Sequence, residues 1–336
     1  IELTNRQQRG LAIPSNPLFS GVQNVVLPGL NNSPTLTGPT IRVSSFYPVA
    51  FLNVPESALG TPQTQLARAD ARGNFFYPID DPRFSEVQVY FGAARAADYI
   101  RSLGFTGLNR VFDAVAYFFD DENPYDVNAF FTPAAFNNRG AIVLQVNALG
   151  ADTALDSDVI FHEYGHATVH AIVDTFQSSQ AFRAVNEAYA DYFAASYFDS
   201  SAIGEYFPYL SPTPNVLLRQ DYLRNIDNST RYPDDIRGRE HQDSLMFSGA
   251  LWQMRQTLGR QRGDAVAING LARMTAGGGF FSSASAIVSA ARSLYGNATA
   301  DSVSRIFTDR GLLSDAARFA ELAAPTASGA PRQGSI

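Results

Sequence analysis

A chain of 336 residues with 45% hydrophobic and 17% charged side chains is long enough for two units of ordinary domain size, and it can bury a core. Its net charge of -7 argues against a nucleic-acid partner, because no basic stripe is available to replace phosphate counterions. No apolar run approaches the roughly 20 residues that span a bilayer, and the absence of cysteine removes disulfides, thiolate ligands and a thiol nucleophile together.

Residues 1–70 are rich in Pro, Gly, Asn, Ser and Thr, with short apolar runs at Val25-Val26-Leu27 and Ile41-Arg42-Val43. They read as short strands and turns that pack on a body; the first thirty residues read equally well as an arm. Helical spacing of apolar residues over 84–103 predicts a long helix ending near Gly104. Val111 to Phe119 and Ala141 to Val146 are β-branched or aromatic runs and read as strands, with an acidic turn at Asp120-Asp121-Glu122 between them. Asn128-Ala129-Phe130-Phe131 opens another extended stretch. These segments, 71–175, predict an α/β lobe.

From Asp156 the pattern turns helical. Asp156-Ser157-Asp158 supplies an N-cap and an acidic first turn for a helix running to about Asp174. Further helices are predicted over 181–199, 244–258, 265–275, 282–294, 301–310 and 314–323, with Gly277-Gly278-Gly279 separating two of them and Pro208, Pro212 and Pro214 marking loops. Residues 176–323 thus form a helical lobe, and 324–336 read as a frayed tail. The fold class is α+β.

The first of these helices carries His162-Glu163-Tyr164-Gly165-His166. Histidines at i and i+4 share one helix face and can grip one metal ion, and Glu163 beside the first can reach a water at that ion. Three of the four histidines in the chain, His162, His166 and His170, fall in this stretch. A hydrolytic zinc site needs three protein ligands and an open position. Glu187, twenty-one residues after His166, supplies the third, and Asp191 projects from the same helix face four residues on, suited to orienting a ligand histidine. His170, a further turn along, reads as packing against the site. The fourth histidine, His241, precedes an apolar run ending in Leu251-Trp252 and is a donor for an oxyanion, with Asp234 or Asp235 near enough in sequence to pair with it.

The H-E-x-x-H motif, the N-E-x-x-x-D segment Asn186 to Asp191 and the lone His241 together resemble the gluzincin metallopeptidases, of the thermolysin and fungalysin type, over about residues 85–310. The resemblance implies a sheet-and-helix lobe, a helical lobe and an active-site cleft between them. It implies Zn2+ held by His162, His166 and Glu187, Glu163 as general base, His241 at the oxyanion, and a secreted, monomeric endopeptidase acting on protein or peptide substrates. It further implies an edge strand at Asn128 and Ala129 that pairs with substrate backbone, and an arginine for a substrate carbonyl, with Arg219 and Arg224 as candidates. Asp158 matches a calcium-ligand position, which implies Ca2+ as a second ion, while the acidic calcium cluster after the second ligand helix is thin, with Asp199 and Glu205 only. One departure stands out: thermolysin-like enzymes carry a tyrosine between the two ligand helices that helps hold the oxyanion, and the segment 174–185 has none. Two other readings stay open: a catalytically inactive zinc-binding module used for binding or adhesion, and an aminopeptidase, which needs an acidic anchor for the substrate amine.

Overall fold

The computed structural model describes residues 7–45, 66–108, 110–120, 123–175, 178–210, 221–323 and 334–335. Arg219, Asp121, Glu122, Pro212, Pro214 and most of the 324–336 tail lie outside the described residues. The chain divides into two compact units: Ile1–Ala167 with Gly204–Leu223 and Ser335–Ile336, and Thr168–Ile203 with Arg224–Gly334. The division does not follow the 175/176 boundary expected from composition; it falls within one helix, and residues 204–223 return to the first unit.

The first unit opens with β1 (Gln7–Ala12) and β2 (Gln23–Asn31), an antiparallel pair. It is tied down by two side chains of α1 (Pro82–Ser102): Gln88 exchanges bonds with the Ile13 backbone, and the Tyr90 hydroxyl donates to Pro28 O. Asp81 caps α1 by accepting from the Arg83 N–H, with Pro82 in the first turn, where its missing N–H costs nothing. The sheet is built from β3 (Ile41–Ser45), β4 (Phe112–Phe119), β5 (Ala129–Thr132) and β6 (Ala141–Val146), with the short helix α2 (Ala135–Asn138) between β5 and β6. β4 pairs in parallel with both β3 and β6, and its almost wholly buried sequence FDAVAYFF is what a parallel strand covered on two faces requires. Val115, Phe118, Phe130, Phe136 and Val143 form one apolar cluster on this sheet.

β5 runs antiparallel to β6. It is not the outermost strand, as the sequence suggested: β9 (Gly334–Ser335), from the tail expected to fray, lies beyond it in the order β3-β4-β6-β5-β9. An extended two-residue segment is enough to pair with an open strand edge, and composition does not reveal that.

Helix α3 (Ser157–Val173) carries the H-E-x-x-H motif, and Asp156 caps it by accepting from the Asp158 N–H. It lies close against α1, where a Cβ on Gly92 would stand 2.9 Å from Ile160 Cδ1, two residues before His162. Phe112 of β4 meets Tyr164 edge-on at 5.7 Å. Backbone economy at Gly92 and this aromatic contact fix the depth and roll of the motif helix.

The second unit is helical: α4 (Gln180–Phe198), α5 (Glu240–Leu258), α6 (Arg260–Leu271), α7 (Phe280–Tyr295), α8 (Asn297–Asp309) and α9 (Asp315–Ala323), with a small antiparallel pair β7 (Ala202–Ile203) and β8 (Arg224–Asn225). Phe247 of α5 joins Tyr189 of α4 and Phe307 of α8, and the buried Tyr189 hydroxyl donates to Ala267 O. Three helix starts differ from the sequence reading by four residues or more, one of them α8, which begins at Asn297 rather than 301. α5 begins at Glu240 rather than 244, so His241 sits in its first turn and not in a preceding loop. α6 begins at Arg260 rather than 265, because the connection is one residue, Gly259, at φ 79°.

Candidate metal centre

His162 and His166 are buried on one face of α3, their rings perpendicular with centroids 4.6 Å apart and their Nε2 atoms 3.0 Å apart. Spacing by four residues brings both imidazole tips to one point. Glu187, on α4, is 2% exposed, and one ligand atom from each of His162, His166 and Glu187 lies within 4.8 Å of the others. Two imidazoles and a carboxylate, fully removed from water, are a donor set able to hold a divalent ion. Glu163 is 0% exposed and follows His162 directly.

His241 Nε2 stands 3.3 Å from Glu187 Oε2, and its side chain is about one-third exposed. Asp235, one of the expected partners of His241, accepts from the Arg231 N–H and lies 3.5 Å from an Arg237 nitrogen. The carboxylate that ties down the approach to α5 is Asp243, in the first turn of that helix, which accepts from the N–H groups of Arg237 and Gly238. Glu240, next to His241, pairs with Arg183 at 3.0 Å. Neither Asp243 nor Glu240 was singled out from sequence, although acidic residues opening a helix are a readable signal.

Asp191 is wholly buried and receives a two-pronged bond from Arg224, with Nε at 2.9 Å and a terminal nitrogen at 2.8 Å. His170 Nδ1 accepts from the Thr175 N–H just past the end of α3, and so closes that helix end. Asn128 immediately precedes β5 and Ala129 opens it; the Asn128 carbonyl accepts from the Gln145 N–H, and Ala129 is buried opposite Leu144.

A second acidic group lies in the first unit. Asp156, Asp158 and Glu205 are all buried, with one carboxylate oxygen from each within 4.8 Å of the others. Burial, then the neighbouring Glu205, pushes Asp156 up to about 7; Asp158 is raised well above the carboxylate range by burial and then by Asp156 and Glu205. Asp158 Oδ1 is buried with no hydrogen-bond partner. Asp199, named with Glu205 as what remains of an acidic cluster, ends α4 in the left-handed conformation, 74% exposed and paired with Arg255. The residue that joins Glu205 is Asp156, which from sequence had only a capping role.

No protein-family model and no curated protein matches the chain in sequence. Among solved structures, the precursor of protealysin, a metalloproteinase from Serratia proteamaculans, superimposes with a TM-score of 0.59 at 14% identity, covering 81% of this chain and 86% of that one. Among the described residues no helix is long and apolar enough to cross a membrane. With a sheet-bearing first unit, a mostly helical second one and this neighbour, the chain has the thermolysin-like metallopeptidase fold.

Proposed function

We propose that the protein is a zinc-dependent endopeptidase. The observation that carries the reading is the convergence of buried donors from His162, His166 and Glu187 within 4.8 Å, with Glu163 and His241 beside them. Two imidazoles bound at about 2.0–2.1 Å to a tetrahedral ion have nitrogens about 3.3 Å apart, close to the 3.0 Å between the two Nε2 atoms here. Two nitrogens and one carboxylate favour zinc over the harder ions, which prefer oxygen alone.

Bound zinc supplies a Lewis acid that polarises the scissile carbonyl and the attacking water. The residues of the chain do the rest. Glu163 takes the proton of the attacking water and passes it to the leaving amine nitrogen. His241, with its Nε2 3.3 Å from Glu187 Oε2, offers a ring N–H to the developing oxyanion. Arg224, oriented by Asp191, faces the carbonyl of a neighbouring substrate residue, and Asp191 in turn steadies the ligand face of α4. The outer edge of β5, from Asn128 and Ala129, pairs with the substrate backbone, which there takes the place of Gly334–Ser335.

Asp156, Asp158 and Glu205 extend the reading to calcium. Three buried carboxylates that repel one another, one with an oxygen lacking a hydrogen-bond partner, fit a hard cation taking oxygen ligands. Few protein ligands suit a millimolar calcium concentration, which fits work outside the cytoplasm.

The lack of a tyrosine over 174–185 favours one rival, a zinc-binding module without turnover. Metal analysis combined with cleavage of a quenched peptide separates the two. The peptidase reading expects one zinc per chain and cleavage that a chelator abolishes and zinc restores; zinc without cleavage supports the rival.

A further inference from the structure

Within the second unit, Arg183 and Glu240 tie the start of α4 to the start of α5. Arg183 Nε donates to Glu240 Oε2 at 3.0 Å, and a terminal nitrogen donates to Ser178 O at 3.3 Å, so the guanidinium is held from two sides. Beside it the Gln180 side-chain amide donates to Gly238 O at 3.3 Å, a second tie between the same two stretches. Gly238 in turn donates its N–H to Asp243, inside the first turn of α5.

Arg183 stands four residues before Glu187 on α4, so on the same face and about one turn away. Glu240 is the residue before His241 in α5. Two bridges therefore cross side by side between the helices, one from Arg183 to Glu240 and one from His241 to Glu187, at 3.0 and 3.3 Å. The first fixes the backbone that carries the His241 ring against the helix that carries the metal carboxylate.

Neither stability nor capping accounts for the pair. Its side chains are 30% and 31% exposed, and an ion pair so open to water adds little to stability. A cation in the first turn of a helix faces the positive end of the dipole, so Arg183 does not serve α4 itself. Asp235, the carboxylate expected to steer His241, is engaged with the Arg231 N–H and with Arg237. Position is what the pair supplies. An oxyanion donor depends on it, since a displacement of about 1 Å can cost about a hundredfold in rate.

We propose that Arg183 and Glu240 are positioning residues that hold His241 in register with the metal centre for the oxyanion step. The proposal rests on the peptidase reading. The test is the kinetics of quenched-peptide cleavage by the zinc-loaded full chain carrying Arg183→Met, Glu240→Gln, Arg183→Lys, His241→Ala, or His241→Ala together with Arg183→Met. Zinc content and circular dichroism establish that each variant is folded and loaded. Arg183→Met and Glu240→Gln are each expected to lower kcat at least about tenfold with KM within about twofold, since the donor acts on the transition state and not on the bound substrate. Arg183→Lys, which keeps a cation for Glu240, should regain most of that loss. In the His241→Ala chain, Arg183→Met should change kcat by less than about twofold, because the pair acts through that ring. An unchanged kcat in either folded single variant, a loss as large without His241 as with it, or loss of zinc from either variant would overturn the clamp and leave the peptidase reading standing. A zinc-loaded wild type that cleaves no peptide overturns both.

Discussion

Arg224 grips Asp191 through both prongs of its guanidinium, at 2.9 and 2.8 Å, with the two side chains 9% and 0% exposed. The residue that the sequence associates with a substrate carbonyl and the residue it associates with a ligand histidine are one buried unit. Asp191 is four residues from Glu187 on α4, so the pair also anchors the helix that presents the third donor of the metal centre.

Removing one partner of such a pair leaves a buried charge uncompensated, at a cost of about 3–5 kcal/mol. Arg224→Met is therefore expected to lower unfolding free energy by that order, and Arg224→Met with Asp191→Leu by clearly less than the single change. Urea unfolding of both variants measures this; a double variant that loses as much as Arg224→Met or more would contradict an uncompensated buried charge as the cause.

The carboxylate trio Asp156, Asp158 and Glu205 predicts calcium-dependent stability. A cation at one hundred times its Kd stabilises by about 2.7 kcal/mol. Removing calcium with a selective chelator should lower Tm, and Asp158→Asn should lower it in calcium and abolish most of the response. An identical Tm with and without calcium in wild type would dissociate these residues from an ion.

Asp152 gives a pH dependence of its own. Burial raises it to about 6 from an ordinary 3.8, against the lowering effect of bonds from the Ser85 hydroxyl and the Ala154 N–H. The folded state holds this proton more tightly than the unfolded one, so stability falls as pH rises from about 4 to about 6 and is level above that. At 1.36 kcal/mol per pKa unit the loss is about 3 kcal/mol. Asp152→Asn should match wild type near pH 4 and exceed it by up to that amount at pH 7, read from denaturant unfolding at fixed calcium. Parallel pH curves for the two proteins would contradict the assignment.

How much of this was legible in the sequence varied with the kind of signal. The motif helix was read almost to the residue, 156–174 against Ser157–Val173, because capping acids and a buried face are both local features. The grouping of the three candidate donors was legible for the same reason: His162 and His166 are fixed by helix period, and Glu187 sits in its own short motif. The start of α5 was missed by four residues because Glu240-His241-Gln242-Asp243 is as polar as a loop, while those acids in fact open the helix and bind Arg183 and the 237–238 backbone. Asp156 was read as a cap, which it is, but its second oxygen accepts from Tyr206 N–H, fifty residues on, and only the fold brings Glu205 to it. β5 was expected at an open edge, and the pairing with β9 is a long-range contact carried by two residues without side-chain pattern.

The central claim is that Glu163 moves the proton in a metal-assisted hydrolysis. Its most direct test is Glu163→Gln, with zinc content and turnover of a quenched peptide measured on the same preparation. The account predicts one zinc per chain, an unchanged fold and a loss of kcat of at least about a hundredfold. A variant that keeps zinc and cleaves at near wild-type rate would contradict it.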